Sequence, residues 1–523
     1  METDIVIFWF VVLSCLSGLV MSLVAFRSIA KGWLVLYLAI LLVAVIGLLS
    51  GKGSLINLSL ALWLLLVLMP VLLLRRQHRY FLQQRYSSAR RLAMVISWLH
   101  PADGWRQQPQ VIRALELAQE GDLAAATEAL RRFQQSKSLI GLAAVAHLYR
   151  LTNQWEELLA WEAQNRERLE RHAQLLPIVL RAHGETGDLR GLVQVYQRNQ
   201  PRIARLVPSA SRDMCRLMLF AFCGKRDAVE RLIAGSLSIL PASVQQLWVA
   251  TADLASGAKE SAKCQLEQLW PKAGPPVRLA IERRLSRISL SPEPLDASAQ
   301  QVIEQAAHDQ SHDQLFGATP SLFSRHAHCT QLLIVLNLLA FVVEVCSGGA
   351  TNPETLYRLG ALFPPAVRAG EWWRAVTALF LHWGPLHLCM NMIGLWVLGP
   401  FAEFALGVRR YLLVYLVSGM GSMGALLLFA AAGRNNDELA LGASGCIMGL
   451  VGATGALMLR GWLREKAFSA KRRLVAMLSI MAMQTLFDSL VPQVSMTAHL
   501  SGAVIGFLAT LGLRDRLRQS ALS

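Results

Sequence analysis

The chain has 523 residues, 54% of them apolar and only 16% charged, which excludes a purely water-soluble protein and leaves room for two or three domains. Lys and Arg number 51 against 35 Asp and Glu, a net charge of +16 that suits nucleic acid, anionic lipid or the cytoplasmic loops of a membrane protein. Eight scattered cysteines form no CxxC pair, so they read as buried thiols and not as zinc ligands or a disulfide framework.

Three apolar stretches come first, Asp4 to Phe26, Gly32 to Ser50 and Leu55 to Leu74. Each is close to the ~20 residues that a helix needs to cross hydrocarbon. The leading METDIVIF has neither the basic flank nor the small-residue cleavage site of a signal peptide, so it reads as a retained anchor. The run RRQHRYFLQQRYSSARR then sets Arg75, Arg76, Arg79, Arg85, Arg90 and Arg91 at the end of the third stretch, marking that side as cytoplasmic.

Residues 100 to 315 contain no spanning segment, and their pattern is amphipathic and helical. Five similar turns carry Gly121, Asn153, Gly187, Gly224 and Gly257, at separations of 32, 34, 37 and 33 residues. That period fits paired-helix repeats, and the array resembles tetratricopeptide-type repeats, whose stacked pairs bury a shared core and offer a surface to a protein partner. From Leu290 to Thr319 the composition turns to Ser, Pro, Gln, Asp and His, which reads as a linker.

Six more spanning candidates follow, near 331–347, 384–406, 410–432, 443–460, 473–490 and 497–513, making nine crossings. With the repeats inside, the later basic turns at Arg409 and Arg410, at RGWLREKAFSAKRR, and at Arg514, Arg516 and Arg518 also fall inside. The basicity is then mainly topology, and no nucleic-acid partner is expected. The expected organisation is all-α and polytopic. Three transmembrane helices occupy 1–75, cytoplasmic repeats 76–289, a linker 290–325, a six-helix core 326–515 and a cytoplasmic tail 516–523.

Polar side chains inside spanning helices are costly and mark function or packing. Three clusters stand out: His382, His387 and Asn391 in LHWGPLHLCMNM; Ser444 between Gly442 and Gly445 in LGASGCIMGLVG; and His499, Gly502 and Gly506 in AHLSGAVIG. The second, fourth and sixth core helices all run from outside to inside, so the three clusters share the outer leaflet. Ser444 falls near a helix start, where free amides and the dipole favour a developing anion. A neutral His can take the serine proton, and His387 with Asn391, i and i+4 on one face, can converge on an oxyanion. Gly502 and Gly506 on one helix, and Gly445 and its successors on the other, permit close approach. Zinc on His382, His387 and His499 would need an HExxH or a carboxylate ligand, and the sequence supplies neither, so no metal or cofactor is expected.

These residues make the C-terminal block resemble the rhomboid family of intramembrane serine proteases over about residues 325 to 515. GEWWRAVTALFLHWGPLHLCMNM resembles the first outer loop and second core helix, with Trp373 and Arg374 matching the family's Trp-Arg pair. LGASG resembles the nucleophile motif, AHLSGAVIG the histidine helix, and Glu403, Gly407 and Arg409 the turn that ends the second helix. The resemblance implies a six-helix bundle and a Ser444–His499 dyad. It also implies an oxyanion hole from His387, Asn391 and the Ser444 amide, and cleavage of transmembrane or membrane-anchored proteins near the outer face of a bacterial cytoplasmic membrane. His382, Trp373, Arg374, Gly442, Gly445, Met448, Gly502 and Gly506 are the supporting residues. The family often has an aromatic residue one turn below the serine, against the histidine ring; here that position is Met448, which has neither a hydroxyl nor an aromatic face. No Asp or Glu close in sequence offers an evident third member of a triad. The competing expectation is a catalytically silent rhomboid-like binder or scaffold.

Overall fold

A computed structural model describes the chain except residues 1, 27–30, 101, 103, 137, 170–171, 207–208, 289–293, 318–326, 433–437, 492–494 and 514–523. The expected basic turn at Arg514, Arg516 and Arg518 and the tail 516–523 therefore lie outside the described residues. The chain forms two compact units, Met1–His308 and Asp309–Ser523.

In the first unit, the helices Glu2–Phe26, Lys31–Leu49 and Gly53–Leu82 share an apolar cluster that includes Phe8, Val11, Cys15, Tyr37, Ile40 and Ile56. Their other faces expose Leu16, Leu42 and Leu72, as helices solvated by lipid do. The third of them runs well past Leu74, carrying Arg75, Arg76 and Arg79 on continuous helix. Leu64–Leu68 within it is a π-helical segment, which helix termini and bulges accommodate locally.

Helices then alternate in pairs. Gln108–Glu120 meets Leu123–Arg131, Leu139–Leu151 meets Trp155–Gln164, and Leu176–Thr186 meets Leu189–Ala204. Ser209–Phe222 with Arg226–Ala234, and Ala242–Ala255 with Lys259–Leu269, complete five pairs. The five turn residues picked out by spacing all have positive φ: Gly121 +100°, Asn153 +58°, Gly187 +86°, Gly224 +72° and Gly257 +94°. That conformation ends a helix with least cost when the residue is Gly or Asn. In the two GD turns the next residue caps the following helix: Asp122 accepts from the amide of Ala125 at 2.9 Å and Asp188 from that of Gly191 at 2.8 Å. Trp155, Phe220 and Trp248 are buried between the pairs.

Part of the segment expected to be a linker is a helix, Ala297–Gly317. Its Ala and Gln content favours helix locally, and its last residues belong to the second unit: Phe316 packs on Gly461, Asp313 Oδ1 accepts from the Ser469 amide at 3.3 Å, and His312 Nδ1 lies 2.9 Å from Glu465.

The second unit holds the six core helices His328–Cys346, Gly384–Leu406, Val408–Ala431, Ser444–Glu465, Phe468–Leu490 and Met496–Leu511. Among the described residues seven helices of the chain are long and apolar enough to cross a membrane, so it is an integral membrane protein. Of the other two expected crossings, the first lies in the 25-residue apolar helix Glu2–Phe26, and Met496–Leu511 is an apolar helix of 16 residues. The fourth core helix is the hub: 78% of its apolar window is buried, against 17–50% for the other core spans. The reason is in its sequence. Gly445, Gly449, Gly452, Ala453 and Ala456 leave no bulk between it and its neighbours.

Polar anchors fix the helix ends. Glu403, 3% exposed, accepts from the amides of Cys329 and Thr330 at 2.9 and 2.8 Å and from the Thr330 hydroxyl at 2.8 Å, capping the first core helix with a carboxylate. Arg460 donates to the carbonyls of Thr510, Leu511 and Leu513 at 2.9–3.1 Å, satisfying the last turn of the sixth.

Candidate active site

The Ser444 segment is held from outside its own helix. Leu362 and Ala440 exchange two backbone hydrogen bonds of 2.9 Å, and the Gly442 amide donates to the Ala378 carbonyl at 2.8 Å. Both anchors belong to the loop between the first two core helices. Arg374 organises that loop. It is 3% exposed, donates to the carbonyls of Tyr357 (2.6 Å) and Ala361 (3.0 Å) and to Glu371 (2.6 Å), and lies over the rings of Tyr357 and Trp373. Trp373 and Arg374 thus brace the loop and are not brought to Ser444.

Ser444 is the first residue of its helix, so the amides that begin it have no carbonyl one turn earlier to bond. Gly442 has φ +128°, and a Cβ there would lie 2.8 Å from His387 Cε1, 3.0 Å from His387 Nε2 and 3.7 Å from Ser444 Oγ. Only glycine fits, and His387 and Ser444 flank the same point. The Trp383 amide donates to His387 Nδ1 at 3.2 Å, which assigns the ring proton to Nε2, the nitrogen facing Gly442. His382 is fully buried and packs edge-on against His387 at 5.2 Å, with Nδ1 on the Phe380 carbonyl at 3.1 Å and its amide on Glu344 at 3.0 Å. It supports His387. Asn391, one turn further along the same helix, is 6% exposed, and its Nδ2 has no hydrogen-bond partner among the described residues.

His499 lies in the first turn of the sixth core helix, 7% exposed. No hydrogen bond joins it to Ser444 among the described residues. Such bonds commonly tighten only in a substrate complex. The two are approximated by their backbones: a Cβ on Gly445 would lie 3.7 Å from the Ala498 carbonyl, one on Gly502 would run into the Gly445 carbonyl, and one on Gly506 would run into that of Gly449. Met448 packs with Val451 and Ala503.

Sequence proximity offered no evident acidic partner for His499, but the fold brings one to it. Asp488, at the end of the fifth core helix, places Oδ2 2.8 Å from His499 Nδ1, and Gln484 Nε2 donates to its Oδ1 at 2.7 Å. Asp488 ends the fifth core helix and His499 begins the sixth, and the two, eleven apart in sequence, touch. A carboxylate inside the apolar segment AMLSIMAMQTLFDSL was the available signal. Glu344 was missed for the same reason.

A Rhomboid domain family model matches residues 369–516, a range that contains His382, His387, Asn391, Ser444, Asp488 and His499. YdcA of Bacillus subtilis is 33% identical over 155 residues, which are 29% of this chain and 70% of that one. The chain belongs to the rhomboid family. It is also 32% identical over 184 residues to Rhomboid protease GluP of Bacillus subtilis, covering 35% of this chain and 34% of GluP. RHOMBOID-like protein 5 of Arabidopsis thaliana is 32% identical over 179 residues, 34% of this chain and 55% of the relative. The chain therefore spans between about a third and about half of the length of these last two rhomboids. In this rhomboid the motifs of the second, fourth and sixth core helices meet at one end of the bundle, while Trp373 and Arg374 act one layer away, through the loop.

Proposed function

We propose that the chain is an intramembrane serine endopeptidase that cleaves transmembrane or membrane-anchored proteins near the outer face of the membrane. Ser444 Oγ attacks the scissile carbonyl carbon as His499 Nε2 takes its proton, and the oxyanion is held by His387 Nε2–H, Asn391 Nδ2 and the Ser444 amide. Collapse breaks the C–N bond, and His499 returns the proton to the leaving amine. A water that His499 deprotonates then attacks the acyl-enzyme, releasing the new carboxyl terminus and restoring Ser444. No cofactor enters this sequence.

The observation that carries the reading is the Gly442 environment, where His387 Nε2 and Ser444 Oγ border one point at a helix start. Asn391 supports it. A buried amide donor left unpaired costs about 1–3 kcal/mol, and a donor preorganised for an anion that exists only during the reaction accounts for tolerating that cost. The similarity to Rhomboid protease GluP is consistent with it. In the same reading the five helix pairs of residues 76–289 form a tetratricopeptide-like module for a cytoplasmic protein partner, and the chain resides in a bacterial cytoplasmic membrane.

The test is cleavage of a membrane-embedded reporter by wild type, Ser444→Ala and His499→Ala in proteoliposomes. Both variants are expected to lose cleavage, and equal cleavage by Ser444→Ala would sink the assignment. Relatives named RHOMBOID-like proteins leave catalytic activity open, and the second reading is a silent scaffold. Labelling of Ser444 by a fluorophosphonate separates the two.

A further inference from the structure

We propose that Asp488 is a positioning residue for His499, so that the hydrolytic centre of this chain works as a Ser444–His499–Asp488 relay with Gln484 as its outer support. This inference rests on the reading of Ser444 and His499 given above.

Four observations lead to it. Asp488 Oδ2 is 2.8 Å from His499 Nδ1, a charge-assisted hydrogen-bond length. The Asp488 side chain is 1% exposed and that of His499 9%, so solvent does not compete for the contact. Oδ1 is engaged separately by Gln484 Nε2 at 2.7 Å, which fixes the rotation of the carboxylate and leaves Oδ2 to the imidazole. Lastly, Met448 occupies the place one turn below Ser444 and packs on Val451 and Ala503, so no aromatic face there orients the ring.

The chemistry follows from what each atom can do. An ionised carboxylate only accepts, so the shared proton belongs to His499 Nδ1 and the lone pair to Nε2. That is the tautomer a base for Ser444 requires. The Gln484 amide nitrogen also lies 3.3 Å from Nδ1, and since it donates to Asp488 it is a neighbour of the ring and not its partner. When Nε2 takes the serine proton, the imidazolium forms beside a buried negative charge, whose attraction is stronger here than in water. Asp488 keeps its own charge throughout and touches no reacting atom. Gly502 and Gly506 set where the His499 helix runs; Asp488 sets which way its ring faces and which nitrogen is free.

Purified full-length protein in proteoliposomes, with a membrane-embedded reporter, tests this through Asp488→Asn and Asp488→Glu. Replacing the aspartate of a hydrolase relay by asparagine lowers kcat by about 10⁴-fold in the best-studied soluble case. For Asp488→Asn a fall in kcat of roughly 10²- to 10⁴-fold is expected, with KM within about threefold of wild type and fluorophosphonate labelling of Ser444 slowed in parallel. Asp488→Glu, which keeps the charge, is expected to recover most of the loss. A purely structural role would lower the folded fraction and leave the kcat of the folded protein alone. If Asp488→Asn cleaves within about threefold of wild type, the proposal is overturned. A second measurement needs no folded variant: nitrogen-15 shifts of the His499 ring in wild type should show the proton on Nδ1, and a proton on Nε2 instead overturns the proposal. Loss of Ser444-dependent cleavage in wild type itself would remove the parent reading, while the ring tautomer would still report on the Asp488 contact.

Discussion

The contact between the fourth and sixth core helices can be perturbed by a single methyl group. In Gly506→Ala the new Cβ would lie 2.6 Å from both the carbonyl carbon and the Cα of Gly449. Carbon atoms sit comfortably at about 3.5–4.0 Å, so the two helices must separate by roughly 1 Å where they touch. These atoms and the nearer Gly449 carbonyl oxygen are all backbone, so no side chain can rotate away. Overpacking of this kind costs about 1–3 kcal/mol, and a 1 Å misplacement of reacting groups costs on the order of 10²-fold in rate. Reporter cleavage and thermal unfolding in the same detergent are the assays. The expected result is kcat down about a hundredfold with Tm lowered. Gly424→Ala is the control, since a Cβ there has nothing within 4 Å, and it should behave as wild type. Wild-type kcat and Tm in Gly506→Ala would refute the argument that backbone contact between these helices sets the site.

Arg374→Ala should lower kcat by about tenfold or more and reduce Tm, because it removes the donor to the Ala361 carbonyl, leaves that of Tyr357 to the Gly360 amide alone, and frees the strand of loop next to Leu362; unchanged cleavage and melting would count against the loop as the serine's brace. Glu403→Ala should destabilise the second unit by about 1–3 kcal/mol, since three donors at the start of the first core helix lose their acceptor, read as earlier thermal unfolding. Burial opposes ionisation of Glu185, but the adjacent Arg284 and Arg181 guanidinium groups hold its carboxyl below the usual carboxylate range. Because the folded value is the lower one, the stabilisation is present above the unfolded carboxylate pKa of about 4.3 and is lost as pH falls below it. Hydrogen exchange of residues 176–286 in the full chain should therefore accelerate between neutral pH and about pH 3.5 beyond the intrinsic rate, and Glu185→Gln should flatten that change.

Much of this protein could be read before any coordinates. Apolar length fixed where helices run, because a backbone in lipid must satisfy its own hydrogen bonds. The five paired-helix turns were visible because only Gly, or here Asn153 once, adopts the left-handed conformation they need without penalty. Ser444, His387, Asn391 and His499 were visible as polar residues in apolar helices at a shared membrane end. Helicity within 290–325 was not, since Ser and Pro at its start obscured the Ala- and Gln-rich run that follows.

Tertiary structure alone decided what pairs with what. Arg374 lies 70 residues before Ser444 in sequence, yet it holds the Ala361 carbonyl, whose neighbour Leu362 pairs with Ala440 in the Ser444 segment. Asp488 belongs to another helix than His499, and no local pattern foretells that their side chains meet. Sequence periodicity specifies the conformation of a segment and the face it buries, because those depend on neighbours a few residues away. The partner of a buried polar atom depends on how segments distant in the chain are brought together, and for His499 that partner is a carboxylate eleven residues upstream.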